Sequence, residues 1–510
     1  MRRVIVVATI GVLFAVAVAG VVLRVHPGLP DLGLQLAGGG RDVGSSSSTA
    51  VRPDAAETST PANVSPTVAA GPTPSVLMGR ARRGSTVVRR EPSEASEVIA
   101  TLFFDTPLPL LDREPQQGSP EWYKTRIWGS LEGWVKASQV DTGSLPEKVR
   151  PFWETQNSVG LNRGQSGEPL PLAASGRTNT RVNIRAGIGV GNEILAVLDP
   201  NAPVRVDGWA TDADFHPWFH VARSSESGWV YGAYIDLQVA KASERNDAIW
   251  QPITGRGMWL PNNFVELVNP RYLVEAAKAL KLSHLYVEVG ESQAGFFGRS
   301  SLDSLLPIAH SAGISVIGWV MTSLGDIPGD TALTAEIAAY RTAGGHQVDG
   351  IAADIEQNVD LDDVKVYAEV TRLSVGPERL LVATIWPAGS WMGRTYPIHR
   401  VLAPVFDAIT PMAYWSAEER AYSYDEVYEF VYQAVNQMRQ EVGDPHYPVA
   451  VIGQMYDTFG RNGIGEYSPG GQEIRAAMQA AKDARAVGIS FFQWGTATPE
   501  EWEAFRDFPW

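Results

Sequence analysis

From residue 256 to residue 494 the sequence alternates between short β-rich runs and amphipathic helical stretches. The β-rich runs are Arg256–Leu260, Leu285–Val289, Ile314–Val320, Gly350–Ile355, Leu380–Trp386, Ala408–Tyr414, Pro448–Met455 and Gly488–Trp494. Helical runs such as Tyr272–Leu280 and Tyr424–Arg439 lie between them. Strands that alternate with helices pair in parallel and bury both faces, which leaves two architectures, a closed barrel or an open doubly wound sheet. Eight βα units in about 245 residues is the size of a TIM (β/α)8 barrel. An open nucleotide-binding sheet would place a Gly-rich phosphate loop after its first strand, and this sequence has none there.

In a barrel the chemistry sits at the C-terminal ends of the strands. Here those ends carry Trp259, Glu288, Trp319, Asp354 with Glu356, Trp386, Tyr414, Gln454 and Trp494. Carboxyl groups can protonate a glycosidic oxygen, and flat aromatic faces can hold sugar rings. The fourth run reads Asp349-Gly350-Ile351-Ala352-Ala353-Asp354-Ile355-Glu356. Side chains alternate along a strand, so Ala352, Asp354 and Glu356 share one face. Two carboxyls side by side in a barrel mouth raise the pKa of at least one of them, which makes a proton donor near neutral pH. The structural alternative is a solvated carboxylate or an ion pair. Glu288 offers a rival pairing with Glu356, in which carboxyl separation would set the stereochemical outcome.

The fourth run resembles the D-x-x-D-x-D-x-E signature of family 18 glycoside hydrolases, the chitinase-like group. Asp349, Asp354 and Glu356 match it, and Ala352 stands where the family usually has aspartate. Pro411-Met412-Ala413-Tyr414 is similar to the family's M-x-Y block, and Trp494 stands where the family has a floor tryptophan. The resemblance spans residues 255–497. It implies substrate-assisted hydrolysis with catalytic Glu356, Asp354 and Tyr414. Glu356 would protonate the leaving oxygen, while Asp354 and Tyr414 would hold the substrate's 2-acetamido group. Trp494 would floor the sugar, and Trp386, Trp319, Trp259, Gln454 and Glu288 would complete the substrate-binding rim. The seventh run, Val449 to Tyr456, carries no glutamate, which disfavours a nucleophile there. Ala352 equally suits a barrel that has lost catalysis and only binds carbohydrate.

Two segments ahead of the barrel repeat at an offset of 96. Glu97–Leu102 aligns with Glu193–Leu198 and Trp122-Tyr123-Lys124 with Trp218-Phe219-His220; one residue then drops out, and Gly133-Trp134-Val135 aligns with Gly228-Trp229-Val230. Alternating apolar residues broken by turn formers predict a small all-β barrel for each copy. Trp122, Trp134, Trp218 and Trp229 read as core. The order of blocks, best in Val182-Asn183-Ile184-Arg185-Ala186-Gly187, resembles bacterial SH3 (SH3b) domains. That resemblance implies a cell-wall ligand, peptide or glycan.

Arg2 and Arg3 precede an uncharged run from Val4 to Leu23. Its length fits a single transmembrane helix and favours a signal anchor over a cleaved signal peptide. Both would export the chain. The expected organisation is an anchor or signal peptide over 1–26, a Ser/Thr/Pro linker over 27–76 and SH3b-like copies over 77–141 and 178–240. A linker over 142–177 joins the copies, and the barrel follows over 246–510. With 42 basic against 57 acidic residues, the chain is a poor nucleic-acid binder. It contains no cysteine, so disulfides and Cys-based metal sites are excluded. The eight histidines are scattered without H-E-x-x-H spacing, and neither metal nor cofactor is expected.

Overall fold

The structure is a computed structural model. It describes residues 77–82, 86–102, 106–115, 117, 119–142, 169–242, 247–261, 264–265, 268–357, 360–416, 421–459 and 466–510. The expected anchor over 1–26 and linker over 27–76 lie outside the described residues. Among the described residues, no helix is long and apolar enough to cross a membrane.

The C-terminal half is a closed parallel barrel. Its strands are β1 (Gly255–Leu260), β2 (His284–Glu291), β3 (Ser315–Thr322), β4 (Gly350–Ile355), β5 (Leu380–Ile385), β6 (Ala408–Pro411), β7 (Ala450–Gln454) and β8 (Gly488–Phe492). Each pairs in parallel with its neighbour, and β8 returns to β1. Bridges Ile409–Val449 and Met412–Ile452 join β6 to β7 and complete the circle. The outer layer includes α1 (Pro270–Ala279), α2 (Arg299–Ser311), α3 (Ile327–Ala339) and α4 (Leu361–Val375). It continues with α5 (Trp391–Thr395), α6 (His399–Leu402), α7 (Tyr424–Val442), α8 (Gly471–Asp483) and α9 (Pro499–Asp507).

Local sequence explains where the helices start. Asp360 caps α4 by accepting from Asp362 N and Asp363 N, while Ser423 and Thr498 form capping boxes with Glu426 and Glu501. Alternation divides the strand residues between two cores. Trp259, Tyr286, Ile317, Trp319, Ala352, Val382, Met412 and Ile452 fill the barrel interior. Met258, Leu285, Val320, Ile351, Ile355, Val451 and Phe491 face the helices.

Each of the two N-terminal copies forms a seven-stranded antiparallel module. The first runs from Leu77–Ala81 to Val140–Asp141, the second from Leu170–Thr178 to Ile235–Leu237. Both have the strand order third, second, sixth, fifth, fourth, first, seventh, so the 96-residue repeat is a repeat of topology. The second module begins well before residue 178, because Leu170–Thr178 pairs along Pro203–Thr211. Trp122 and Trp218 are core, at 6% and 3% exposure. Trp134 and Trp229 are half-buried instead, since alternation turns Val135 and Val230 inward.

The modules are clasped to the barrel on different sides. In the first, the turn after Trp122–Ile127 drives Trp128 into the barrel's outer core. Its ring meets Phe264 at 5.5 Å and Trp494 at 5.8 Å. Gly129 follows at φ +66°, and a Cβ there would stand 2.7 Å from Trp502 Cβ, so the turn needs glycine. Arg506 Nη1 donates to Gly129 O at 2.8 Å. The edge strand Val98–Leu102 bridges Val268 through Ala100, and Tyr272 on α1 donates to Glu97.

The second module grips α4. Lys365 Nζ donates to Ile235 O at 2.8 Å, Leu237 N donates to Glu369 Oε2 at 3.2 Å, and His216 Nδ1 lies 3.1 Å from Asp363 Oδ1. Its own edge strand, Ile194–Leu198, leaves Ile194, Leu195 and Val197 exposed.

Two outcomes follow from this clasping. Trp128→Ala removes an indole that is 4% exposed and should destabilise the full chain by about 3–5 kcal/mol in chemical denaturation. Burial alone would lower the His216 pKa, but the hydrogen bond to Asp363 and the charges of Asp363, Asp212 and Asp360 outweigh it and raise it. A raised pKa contributes stability that is full below the unfolded value of about 6.5 and is lost as pH rises through the folded value. Amide exchange in α4 should therefore speed up more in His216→Ala at about pH 5.5 than at about pH 8.5. Equal effects at both pH values would refute the ion pair.

Candidate active site

The chemistry gathers where β4 ends inside the barrel. Ala352 and Asp354 project inward and are 0% and 4% exposed, and Glu356 follows at the strand exit, partly open to solvent. The two carboxyls form one interacting pair. Burial raises the pKa of Asp354, opposed by hydrogen bonds from the Trp319 indole and with Glu356. Burial also raises Glu356, and the charge of Asp354 and its hydrogen bond push it further in the same direction. Both carboxyls are thus raised, Glu356 by the charge of Asp354 as well as by burial, while the indole donor on Asp354 favours the charged form of that residue. Trp319 Nε1 donates to Asp354 Oδ2 at 3.0 Å, whereas Asp354 Oδ1 and Glu356 Oε2 have no donor from any other described group. This arrangement supplies an acid beside a carboxylate, and it leaves acceptor capacity on Asp354 Oδ1 and Glu356 Oε2 for a bound molecule.

Aromatic rings wall the pair. Tyr414, beyond β6, meets Tyr456, beyond β7, at 5.4 Å and Phe492, at the end of β8, at 6.3 Å. Burial and the proximity of Glu356 raise the pKa of both tyrosines, so their hydroxyls stay protonated as donors. Phe492 closes the circle against Trp319 at 5.9 Å. Below them Trp259 stacks on Tyr286 at 4.1 Å with an interplanar angle of 2°.

The structure thus brings together Trp319, Asp354, Glu356 and Tyr414. Glu288 is the register neighbour of Trp319 across β2 and β3, and Trp386 packs half-buried against the same interior cluster. Three expected rim residues are placed differently. Trp259 is 1% exposed and donates to Ser490 Oγ at 2.8 Å, so it is an interior layer beneath the rim. Gln454 is fully buried. It accepts from Ser416 N at 3.2 Å and donates to Tyr456 O at 3.0 Å, which braces the β6 and β7 exits.

Trp494 is fully buried outside the mouth, between Trp128, Phe264 and Trp502. Regular strand geometry ends at Phe492, so period two cannot be extended to residue 494. Phe492 and Tyr456 take the wall positions that the sequence reading did not assign. Continuing the inward alternation from Gln454 would have found Tyr456. Asp349, the first residue of the signature, lies at the opposite end of β4. There it accepts from Val316 N at 2.7 Å and pairs with His310 Nε2 at 3.0 Å.

The reading of the histidines as free of metal-ligand spacing, H-x-x-x-H included, overlooked His216-x-x-x-His220, although a strand separates these two rings rather than stacking them. His216 instead joins Asp360 and Asp363, with ligand atoms within 4.8 Å of one another, a set able to hold a cation. His216–Asp363 pairing and the capping of α4 already occupy this cluster.

No family model and no curated protein matches the chain. Solved structures match over about half of it. Three are a class V chitinase from Pseudomonas fluorescens Pf-5, the spore cortex-lytic enzyme SleL of Bacillus cereus and the GH18 chitinase ChiB of Flavobacterium johnsoniae. The first is 12% identical with a TM-score of 0.38, covering 50% of this chain and 98% of that one. For SleL the values are 12%, 0.38, 50% and 74%, and for ChiB 13%, 0.37, 50% and 93%.

The raised Glu356 pKa has a consequence for stability. Its favourable contribution is present below the unfolded value of about 4.3 and is lost as pH rises towards the folded one. Glu356→Gln should therefore stabilise the full chain by about 0.5–2 kcal/mol at about pH 7.5 and hardly at all at about pH 4. Thermal unfolding at the two pH values checks this, and equal shifts would contradict an enclosed acid.

Proposed function

We propose that this chain is an exported glycoside hydrolase that cleaves N-acetylglucosamine-containing glycan, either peptidoglycan or a chitin-like polymer, by substrate-assisted retaining hydrolysis. The observation that carries the reading is the Asp354 and Glu356 carboxyl pair at the barrel mouth, with the Trp319 indole donating to Asp354 and Tyr414, Tyr456 and Phe492 walling the site. In this mechanism Glu356 gives its proton to the glycosidic oxygen as the bond to the anomeric carbon breaks. The substrate's acetamido carbonyl oxygen attacks that carbon, so no enzyme nucleophile is required. Asp354 accepts the acetamido N–H and steadies the positive charge that develops on the group. Tyr414 donates to the same group. Water then adds to the anomeric carbon and returns a proton to Glu356.

Export through Val4–Leu23, residence at the membrane or in the wall, and wall recognition by two SH3b-like modules belong to the same proposal. The modules' shared topology and the 96-residue repeat support their kinship with each other. Their wall ligand is an inference from the resemblance. One observation favours a second reading: Ala352 replaces an acidic residue of the signature, as in a barrel that binds carbohydrate without cleaving it.

The test compares the full chain with Glu356→Gln on chito-oligosaccharides and on purified peptidoglycan, with products identified by mass spectrometry. New reducing ends from the wild type, lowered by at least 10²-fold in Glu356→Gln, are expected for a lost general acid. Retained glycan binding with no product from either protein would establish the binding protein instead. Cleavage of glycans that lack acetamido groups would indicate the Glu288 and Glu356 pairing.

A further inference from the structure

Trp319 and Ala352 are Cα register partners on β3 and β4, and both face the interior. Alanine at 352 is fully buried and presents only a methyl group to its neighbour. The bulky indole beside it reaches along the mouth to Asp354, where Nε1 lies 3.0 Å from Oδ2 in a buried hydrogen bond. Its ring meets Trp259 at 5.2 Å and Phe492 at 5.9 Å, both nearly perpendicular, and these contacts restrict the direction of the donor. In the signature that β4 resembles, position 352 carries an aspartate. The small residue here and the large one beside it form a size-complementary pair.

The two choices have opposite electrostatic consequences. An ionised aspartate at 352 could only accept a hydrogen bond, so it would favour the protonated form of Asp354. The indole can only donate, so it favours the charged form. We propose that Trp319 is a positioning residue that assigns the shared proton to Glu356, a bias that an acidic residue at 352 would oppose. This rests on the hydrolase reading for its kinetic consequence, but not for the proton assignment itself. The other titratable groups facing the pair are Tyr414 and Tyr456, both neutral through burial, and Tyr286 lies deeper in the interior. Glu288 stands beside Trp319 on β2.

The experiment uses the full chain and Trp319→Phe, which keeps an aromatic ring between Trp259 and Phe492 and removes the N–H. Without the donor, Asp354 becomes harder to ionise, and more of the singly protonated pair carries its proton on Asp354 instead of Glu356. The acid limb of the kcat profile should rise by on the order of one pH unit and the alkaline limb should not fall, while kcat at the optimum drops and KM changes little. A residue needed only for packing would lower kcat or stability without moving the acid limb.

Infrared carboxyl bands, assigned with Glu356→Gln and Asp354→Asn, give a readout independent of turnover. At neutral pH the protonated band belongs to Glu356 in the wild type and is shared between both residues in Trp319→Phe. Ala352→Asp added to Trp319→Phe should raise the acid limb further, because an ionised neighbour that can only accept favours the protonated form of Asp354. An unchanged acid limb and band assignment in Trp319→Phe, or an acid limb lowered by Ala352→Asp, would overturn the proposal. If the wild type cleaves no glycan, the hydrolase reading falls, and the infrared bands still decide where the proton resides.

Discussion

Two carboxyl groups share the enclosed end of β4, and the low polarity around them prevents both from being charged at once. Barrel closure produces that environment, because each of the eight strands contributes inward side chains that displace water. The single indole donor on Asp354 Oδ2 then breaks the symmetry between the two acids. A site of this kind lowers stability at neutral pH, and it persists because the surrounding core is large enough to tolerate it. The open acceptor positions on Asp354 Oδ1 and Glu356 Oε2 are the visible trace of that compromise.

The barrel does not hold its mouth alone. The first module inserts Trp128 against Trp494, just beyond β8, and the same strand exit carries Phe492 into the wall of the site. The second module holds α4, the helix that follows Glu356, through Lys365, Glu369 and Asp363. Both modules thus brace elements adjoining the chemistry, and precise catalytic geometry depends on such support. The repeat equivalence does not extend to these contacts. Glu97 bonds to α1, whereas Glu193, its counterpart in the second copy, lies on an exposed edge.

Tryptophan abundance has a structural explanation. Trp122, Trp128, Trp209, Trp218, Trp259, Trp415, Trp494 and Trp502 are each 6% exposed or less. Several use the indole N–H internally, as when Trp415 donates to Glu473 at 2.7 Å and Trp218 to Asp212 at 2.9 Å. Large rings with one polar handle join layers of this molecule: module to barrel, strand to helix, and interior layer to rim.

Periodicity determined most of what the sequence could reveal. Eight β-rich runs with helices between them specify a barrel, and period two within β4 turns Ala352, Asp354 and Glu356 to one face without knowledge of any contact. The internal offset of 96 likewise announced two modules of one topology. Strand ends were not legible, because alternation holds only while the chain stays extended. Extending it beyond Phe492 placed Trp494 in the mouth, when its ring packs outward onto Trp128. Tertiary structure alone decided the pairing of Trp319 with Asp354, the bracing role of Gln454 and the clasping of the modules. Each joins residues at least 35 positions apart in sequence, except the Gln454–Tyr456 bond. Such contacts follow from register across neighbouring strands and from which surfaces dock, and no local pattern in the chain encodes either.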